Sequence, residues 1–196
     1  MHTSLAPRAP LCAIGGSAGS IPALIELLAI LPAALPAALL VVIHLERHRE
    51  TLLARILDRR TALTVALAEG AGERPLAGHV YLAPPDHHLV VRRGPRLWLS
   101  GTAPECFSRP SVDPLFISLA EVCGASAVAM VLSGMGRDGS RGAAEVHRLG
   151  GTVVAQDAAT YPSMPSAAIA TGGVDHVLSP AAMAEMLMKL HMPSVS

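Results

Sequence analysis

Aromatic residues are scarce in this chain, at 3% of its 196 residues, and it has no run of basic residues. Its 15 lysines and arginines balance 15 aspartates and glutamates, so the formal net charge is zero. Nucleic-acid-binding surfaces are normally basic, and surfaces that stack bases are rich in aromatic rings. We therefore expect no nucleic-acid partner and no carbohydrate-stacking surface.

Cysteine is also rare, and the pattern excludes several classes of protein. The three cysteines are far apart and lack metal-like spacing, at Cys12, Cys106 and Cys123. Reduced thiols in a cytoplasmic protein without a metal or cofactor are expected. The first ten residues do not resemble a signal peptide. The charge-free run 27–43 contains two prolines and is too short to span a bilayer, so we expect no membrane insertion.

The remaining composition favours one well-packed domain, since 51% of residues are hydrophobic and 15% are charged. Short apolar runs alternate with helical segments, which predicts an α/β fold: a doubly wound, mainly parallel sheet with helices on both faces. We assign 11–191 to this domain, with tails at 1–10 and 192–196. The segment 78–100 alternates at period two and predicts an antiparallel β-hairpin insert. The predicted strands are 11–14, 38–44, 63–69, 126–133, 152–156 and 175–179, and the predicted helices are 20–31, 49–60, 112–123, 139–150, 164–171 and 180–190.

Three reactive side chains lie directly after predicted parallel strands, where ligands bind in such sheets. Ser17 lies in "GGSAG", which matches the G-x-S-x-G turn that exposes a nucleophilic serine. His44 ends the second strand and could act as a general base. Asp138 follows the strand 126–133 and could orient the imidazole. Each also has an ordinary alternative: Ser17 as a helix cap, His44 as a solvated loop residue, and Asp138 as a helix N-cap.

Two other interpretations compete with this one. The segment "GMGRDG" (134–139) is a literal G-x-G-x-x-G, and Asp157 ends the next strand, which is typical of a dinucleotide site in an NAD-binding oxidoreductase. Asp138, however, would repel a pyrophosphate at that helix start. A zinc site at His44 and His48 is not favoured, because His44 lies on a strand and the i, i+4 geometry needs a helix.

The order Ser17, His44, Asp138 differs from that of ordinary α/β-hydrolases, but it resembles the catalytic domain of the CheB family of chemotaxis protein-glutamate methylesterases. The similarity runs from about Leu11 to Leu190. The segments that carry it are "AIGGSAGS", "VVIHL", "GHVYLAPPDHHL", "SRPSVDPLF", "LSGMGRDGSRGA" and "SMPSAAIATGGVDHVL".

The resemblance implies that Ser17, His44 and Asp138 form a catalytic triad and that the backbone amide of Met135 lies at the oxyanion site. The glycine-rich turn and the helix start after Ser17 could point the Ala18 amide at the same oxyanion. It implies hydrolysis of glutamyl methyl esters on the cytoplasmic helices of chemoreceptors, with release of methanol and sometimes deamidation of receptor glutamines. Arg109 and Glu46 are candidate substrate contacts, although Arg109 could instead form an ordinary salt bridge.

The chain also departs from the family pattern. Ala18 and Ser20 stand where the family has a threonine and a glycine, and charged residues follow His44. About ten residues precede the first strand, so we expect no receiver domain in these 196 residues. The chain is then either a stand-alone esterase, a piece of a longer chain, or a member regulated by another route, such as a separate receiver or regulatory protein. A catalytically weak homologue that serves as a binding module is the alternative function.

Overall fold

The computed structural model of the protein describes residues 9–44 and 51–191, with the side chain of the last residue undescribed. Strands and helices alternate along most of this length. The strands are β1 (Leu11–Gly16), β2 (Ala38–Ile43), β3 (Thr64–Leu67), β4 (His79–Leu82), β5 (His88–Arg92), β6 (Arg96–Ser100), β7 (Val128–Val131), β8 (Thr152–Gln156) and β9 (His176–Leu178). The α-helices are α1 (Ser20–Ile30), α2 (Leu53–Asp58), α3 (Val112–Cys123), α4 (Ser140–Arg148), α5 (Ser163–Ile169) and α6 (Pro180–His191).

Seven strands form one parallel sheet in the order β3-β4-β2-β1-β7-β8-β9. The chain adds β2 on one side of β1 and later adds β7 on the other side. The sheet order therefore reverses at β1, and a crevice at the carboxyl ends of the strands is expected there. The predicted doubly wound fold is confirmed.

Two apolar layers cover the sheet, one on each face, and they bury its central strands on both sides. Along β1, Leu11 and Ala13 face one layer, while Cys12 and Ile14 face the other. The first layer contains apolar residues of α3, α4, α5 and the β5–β6 hairpin. The second contains apolar residues of α1, α2 and α6. Within the described residues, no helix is both long and apolar enough to cross a bilayer.

The prediction for 78–100 was partly wrong. Only β5 and β6 form an antiparallel hairpin, whereas β4 pairs in parallel with β2 and β3 inside the main sheet. The reason is that β4 is buried on both faces: Val80 and Leu82 contact one apolar layer and Tyr81 contacts the other. With a polar His79 before it, so short a strand resembles a half-exposed hairpin strand in sequence.

Candidate active site

Ser17 and His44 leave the sheet side by side. Gly16 is the register partner of Ile43, so the residues that follow them begin neighbouring loops. The His44 backbone N–H donates to the carbonyl of Gly16 at 3.3 Å. On the other side, the Ser17 N–H donates to the carbonyl of Ser133, after β7, at 2.9 Å. The ends of β1, β2 and β7 are thus joined directly.

The turn from β1 into α1 presents Ser17 without using it as a helix cap. The N-cap of α1 is Gly19, in the left-handed region at φ 72°, and no side chain caps the helix. A side chain at Gly19 would lie 2.8 Å from the Tyr161 ring, so the position requires glycine for conformation and for space. The Ser20 hydroxyl donates to the Ser17 carbonyl at 2.6 Å and fixes the turn.

Asp138 joins His44 to the start of another helix. The carboxylate is 1% exposed, and its Oδ2 accepts a hydrogen bond from His44 Nε2 at 2.7 Å and from the Val112 N–H at 2.7 Å. Its Oδ1 accepts from Ser111 Oγ at 2.8 Å and from the Asp113 N–H at 3.0 Å. Asp138 therefore binds the free N–H groups of the first turn of α3, where the helix dipole favours a negative charge.

These contacts keep Asp138 ionised. Burial alone would raise the pKa of the carboxyl group, but the hydrogen bonds from His44, Val112, Ser111 and Asp113 outweigh it and lower that pKa below its usual value. A buried negative charge therefore faces the His44 ring at neutral pH. Such a charge stabilises a protonated imidazole.

Among the described residues, no hydrogen bond joins the Ser17 hydroxyl to His44. The structure thus brings His44 and Asp138 into contact and places Ser17 next to His44 at the adjacent strand end. Catalytic hydrogen bonds are often long before substrate binds. The assignment of the three residues to one triad stays a prediction.

The backbone near Ser17 offers two N–H groups. Within the described part of the chain, the N–H groups of Ala18 and Met135 donate no hydrogen bond, and Met135 is exposed. Gly134 holds this loop in place, because its N–H donates to Tyr161 O at 2.9 Å and its carbonyl accepts from Met164 N at 3.0 Å. A Cβ on Gly134 would lie 3.0 Å from the Cβ of Ser17.

The two candidate substrate contacts have different outcomes. The Arg109 guanidinium donates to Asp86 Oδ1 at 2.7 and 3.0 Å and to the carbonyls of Gly101 and Thr102. These hydrogen bonds fix the loop before α3 in place. A contact between Arg109 and the substrate stays a prediction. Glu46 lies outside the described residues, as does His48.

Sequence reasoning missed Ser111 and the N–H groups that bind Asp138. A serine followed by Val-Asp-Pro is a typical helix start, which was a local signal for a free helix N-terminus. The partner of that N-terminus lies 27 residues further along the chain. No spacing rule connects the two positions.

Cys106, Asp113 and Asp138 form the one close group of potential metal ligands in the described segments, with one ligand atom of each within 4.8 Å of the others. The oxygens of Asp138 already accept four hydrogen bonds. Desolvation and the two carboxylates raise the pKa of the Cys106 thiol, which disfavours the thiolate that a metal requires. The group therefore fits a metal ion poorly.

Comparison with known proteins places these observations in one family. The family model described as CheB methylesterase matches residues 12–187. The chain is 43% identical over 185 residues to a protein-glutamate methylesterase/protein-glutamine glutaminase of Hahella chejuensis, which covers 93% of this chain and 52% of that protein. It is 45% identical over 185 residues to the protein of that name from Anaeromyxobacter dehalogenans, covering 92% and 54%.

A solved structure agrees with these relatives. The crystal structure of the Thermotoga maritima CheB methylesterase catalytic domain has a TM-score of 0.89 and 34% identity, covering 94% of this chain and all of that one. The chain spans about half the length of the curated relatives that it matches.

Proposed function

Because the chain belongs to the CheB methylesterase family, we propose that it is a serine hydrolase that removes methyl esters from glutamyl side chains of chemoreceptors and releases methanol. The observation that carries the proposal is the 2.7 Å hydrogen bond between His44 Nε2 and a buried, ionised Asp138, at the strand end beside Ser17. Neither an NAD-binding oxidoreductase nor a binding module without turnover is favoured by the relatives.

The mechanism follows from which imidazole nitrogen is engaged. Nε2 is bound to Asp138, so Nδ1 is the nitrogen that takes the proton of the Ser17 hydroxyl as Oγ attacks the ester carbonyl carbon. The carbonyl π electrons move to oxygen, and a tetrahedral oxyanion forms. Asp138 stabilises the resulting imidazolium without itself taking the proton.

The free N–H groups of Ala18 and Met135 are the proposed donors to that oxyanion. Each such donor contributes on the order of 10²–10³ in rate when it is oriented before the reaction. The tetrahedral species then collapses, the bond to methoxide breaks, and His44 returns its proton to give methanol. Water attacks the acyl-enzyme with His44 again as base, which releases the glutamate and regenerates Ser17.

Deamidation of glutamine is the second candidate activity, because the relatives carry both activities in their names. The same acyl-enzyme would form, with ammonia as the leaving group in place of methanol. The substrate glutamine and the methyl ester differ only in that leaving group. We further propose a cytoplasmic location and a separate receiver or regulatory protein as a partner.

The deciding experiment is labelling with a fluorophosphonate followed by intact-mass measurement. Wild type should gain one adduct, whereas Ser17→Ala and His44→Ala should gain none. Wild type should release methanol from a methylated chemoreceptor fragment, whereas Ser17→Ala and His44→Ala should release none. A wild-type adduct that persists in Ser17→Ala, or undiminished methanol release by that variant, would overturn the proposal.

A further inference from the structure

Two consecutive non-glycine residues adopt left-handed backbone conformations beside the candidate active site. Cys106 has φ 48° and Phe107 has φ 64°. Glu105 and Ser108 flank them and exchange both backbone hydrogen bonds, at 3.1 and 2.9 Å. Such a two-residue turn with two positive φ values normally contains Asn-Gly, because other side chains are strained there. We define residues 105–108 as the tip turn.

The tip turn presents an aromatic side chain entirely to solvent. Phe107 is 102% exposed, the highest value among the exposed large hydrophobic residues of the described chain. It is one of only two phenylalanines, and the other, Phe116, is fully buried. Phe107 contributes no packing to the fold and occupies a position that disfavours it. A strained backbone with no stabilising role in the fold indicates a function outside it.

Contacts on both sides hold the tip turn in place. Glu105 forms an ion pair with Arg141 of α4. The segment before the turn is also held. The carbonyl of Thr102 accepts a hydrogen bond from Arg109 at 2.8 Å, and the carbonyl of Ala103 contacts the His88 ring at 3.1 Å. The turn is therefore attached to the hairpin and to α4, so that Phe107 is held in a defined position.

That position is next to the proposed catalytic groups. The Sγ of Cys106, the residue before Phe107, lies within 4.8 Å of a carboxylate oxygen of Asp138. Glu105 and Cys106 also line an open cleft of about 500 Å³ with Asp113 and Arg137. Met135, three residues before Asp138, is 63% exposed and offers a second apolar side chain near the site.

From this arrangement we propose that Phe107 is a docking residue that packs against the apolar side of the receptor helix carrying the glutamyl ester. The inference rests on the proposed function, because it takes the substrate to be a protein. A helix that presents a reactive side chain to Ser17 also presents neighbours at i±3 and i±4 on the same face. Phe107 and Met135 would bury such neighbours. Burial of a phenylalanine is worth about 10- to 100-fold in affinity.

The test separates docking from chemistry. We would compare wild type, Phe107→Gly and Phe107→Leu on a methylated chemoreceptor fragment and on p-nitrophenyl acetate, a small ester with no helix to dock. Glycine suits φ 64°, so Phe107→Gly should fold with an unchanged or higher Tm. Ile30→Ala is the matched control, because Ile30 is an exposed apolar residue at the far end of α1.

Phe107→Gly should lower kcat/KM for the receptor fragment about 10- to 100-fold, mainly through KM, while hydrolysis of the small ester stays within about twofold. Phe107→Leu should retain most of the receptor activity, and Ile30→Ala should retain all of it. Equal receptor kcat/KM in Phe107→Gly and wild type would overturn the proposal, as would an equal loss on both substrates.

A binding measurement keeps the inference distinct from the proposed function. In the Ser17→Ala background, Phe107→Gly should raise the Kd for the receptor fragment about 10- to 100-fold. If that shift occurs while wild type shows no Ser17-dependent hydrolysis, docking stands and the esterase function fails. If hydrolysis is Ser17-dependent and the Kd does not change, the esterase stands and docking fails.

Discussion

His44 Nε2 and Asp138 Oδ2 lie 2.7 Å apart, although 94 residues separate them in the sequence. The imidazole is attached to the end of β2, and the carboxylate is held by the first turn of α3. Neither group depends on substrate for its position. The orientation of the ring, with Nε2 toward Asp138 and Nδ1 on the opposite side, is therefore set by the fold.

Replacing Asp138 with asparagine should abolish most turnover. The amide removes the negative charge that stabilises an imidazolium, and its NH₂ group favours the wrong tautomer of His44. We expect kcat for the small ester to fall by about 10⁴-fold. Steady-state kinetics measures this, with Asp157→Asn as a control because Asp157 is an exposed carboxylate at the end of β8. A loss smaller than tenfold would show that Asp138 does not assist His44.

Gly134 tests how closely the loop after β7 approaches the nucleophile. An added Cβ would lie 2.1 Å from Met164 Sδ and 3.0 Å from Ser17 Cβ, and Met164 is buried and cannot move freely. Gly134→Ala should therefore destabilise the protein by about 1–3 kcal/mol and reduce fluorophosphonate labelling of Ser17. Gly101→Ala is the matched control, since a Cβ there meets nothing within 4 Å. Equal stability and labelling of the two variants would contradict the close approach.

Cys106 should be an accessible but sluggish thiol. Desolvation and the nearby charges of Asp138 and Asp113 raise its pKa, so little thiolate is present at neutral pH. Alkylation by iodoacetamide should accelerate steeply above pH 8, and Asp113→Asn should increase the rate at pH 7 about twofold or more. Peptide mass mapping assigns the label, with Cys12 as the internal control because it is fully buried. A fast reaction at pH 7, unaffected by Asp113→Asn, would contradict the electrostatic argument.

Most of the fold was predictable because β1, β2 and β7 lack polar residues and β8 has an apolar centre, as expected of strands in a sheet that is covered on both faces. The position of reactive residues after those strands followed from the same pattern. The error at β4 arose because four residues contain too few positions to distinguish a buried strand from an alternating one. The hydrogen bonds from the first turn of α3 to Asp138 could not be predicted from sequence, since a helix start indicates free N–H groups but not the group that binds them.

The fold shifts the pKa values of two adjacent buried carboxyl groups in opposite directions. Hydrogen bonds from His44 and α3 lower the pKa of Asp138. Burial raises the pKa of Asp113, the Gly142 N–H bond opposes this rise, and the charge of Asp138 adds to it. Asp138 therefore contributes stability above its unfolded pKa, about 3.9, which is lost as the pH falls through its lower folded pKa. The ionised form of Asp113 is disfavoured in the folded protein. The protein therefore loses stability as the pH rises from the unfolded pKa of Asp113 through its higher folded pKa.

The pair Asp138→Asn and Asp113→Asn should therefore change the pH dependence of stability with opposite signs. Asp138→Asn should lower the free energy of unfolding by about 1–3 kcal/mol at pH 7, and its deficit relative to wild type should shrink as the pH falls below 4. Asp113→Asn keeps an oxygen for the Gly142 N–H and removes a disfavoured charge, so its stability relative to wild type should increase between pH 4 and pH 7. Urea denaturation from pH 3 to pH 7 measures both. Parallel pH profiles for the two variants would contradict the assignment of an ionised Asp138 beside a destabilised Asp113 charge.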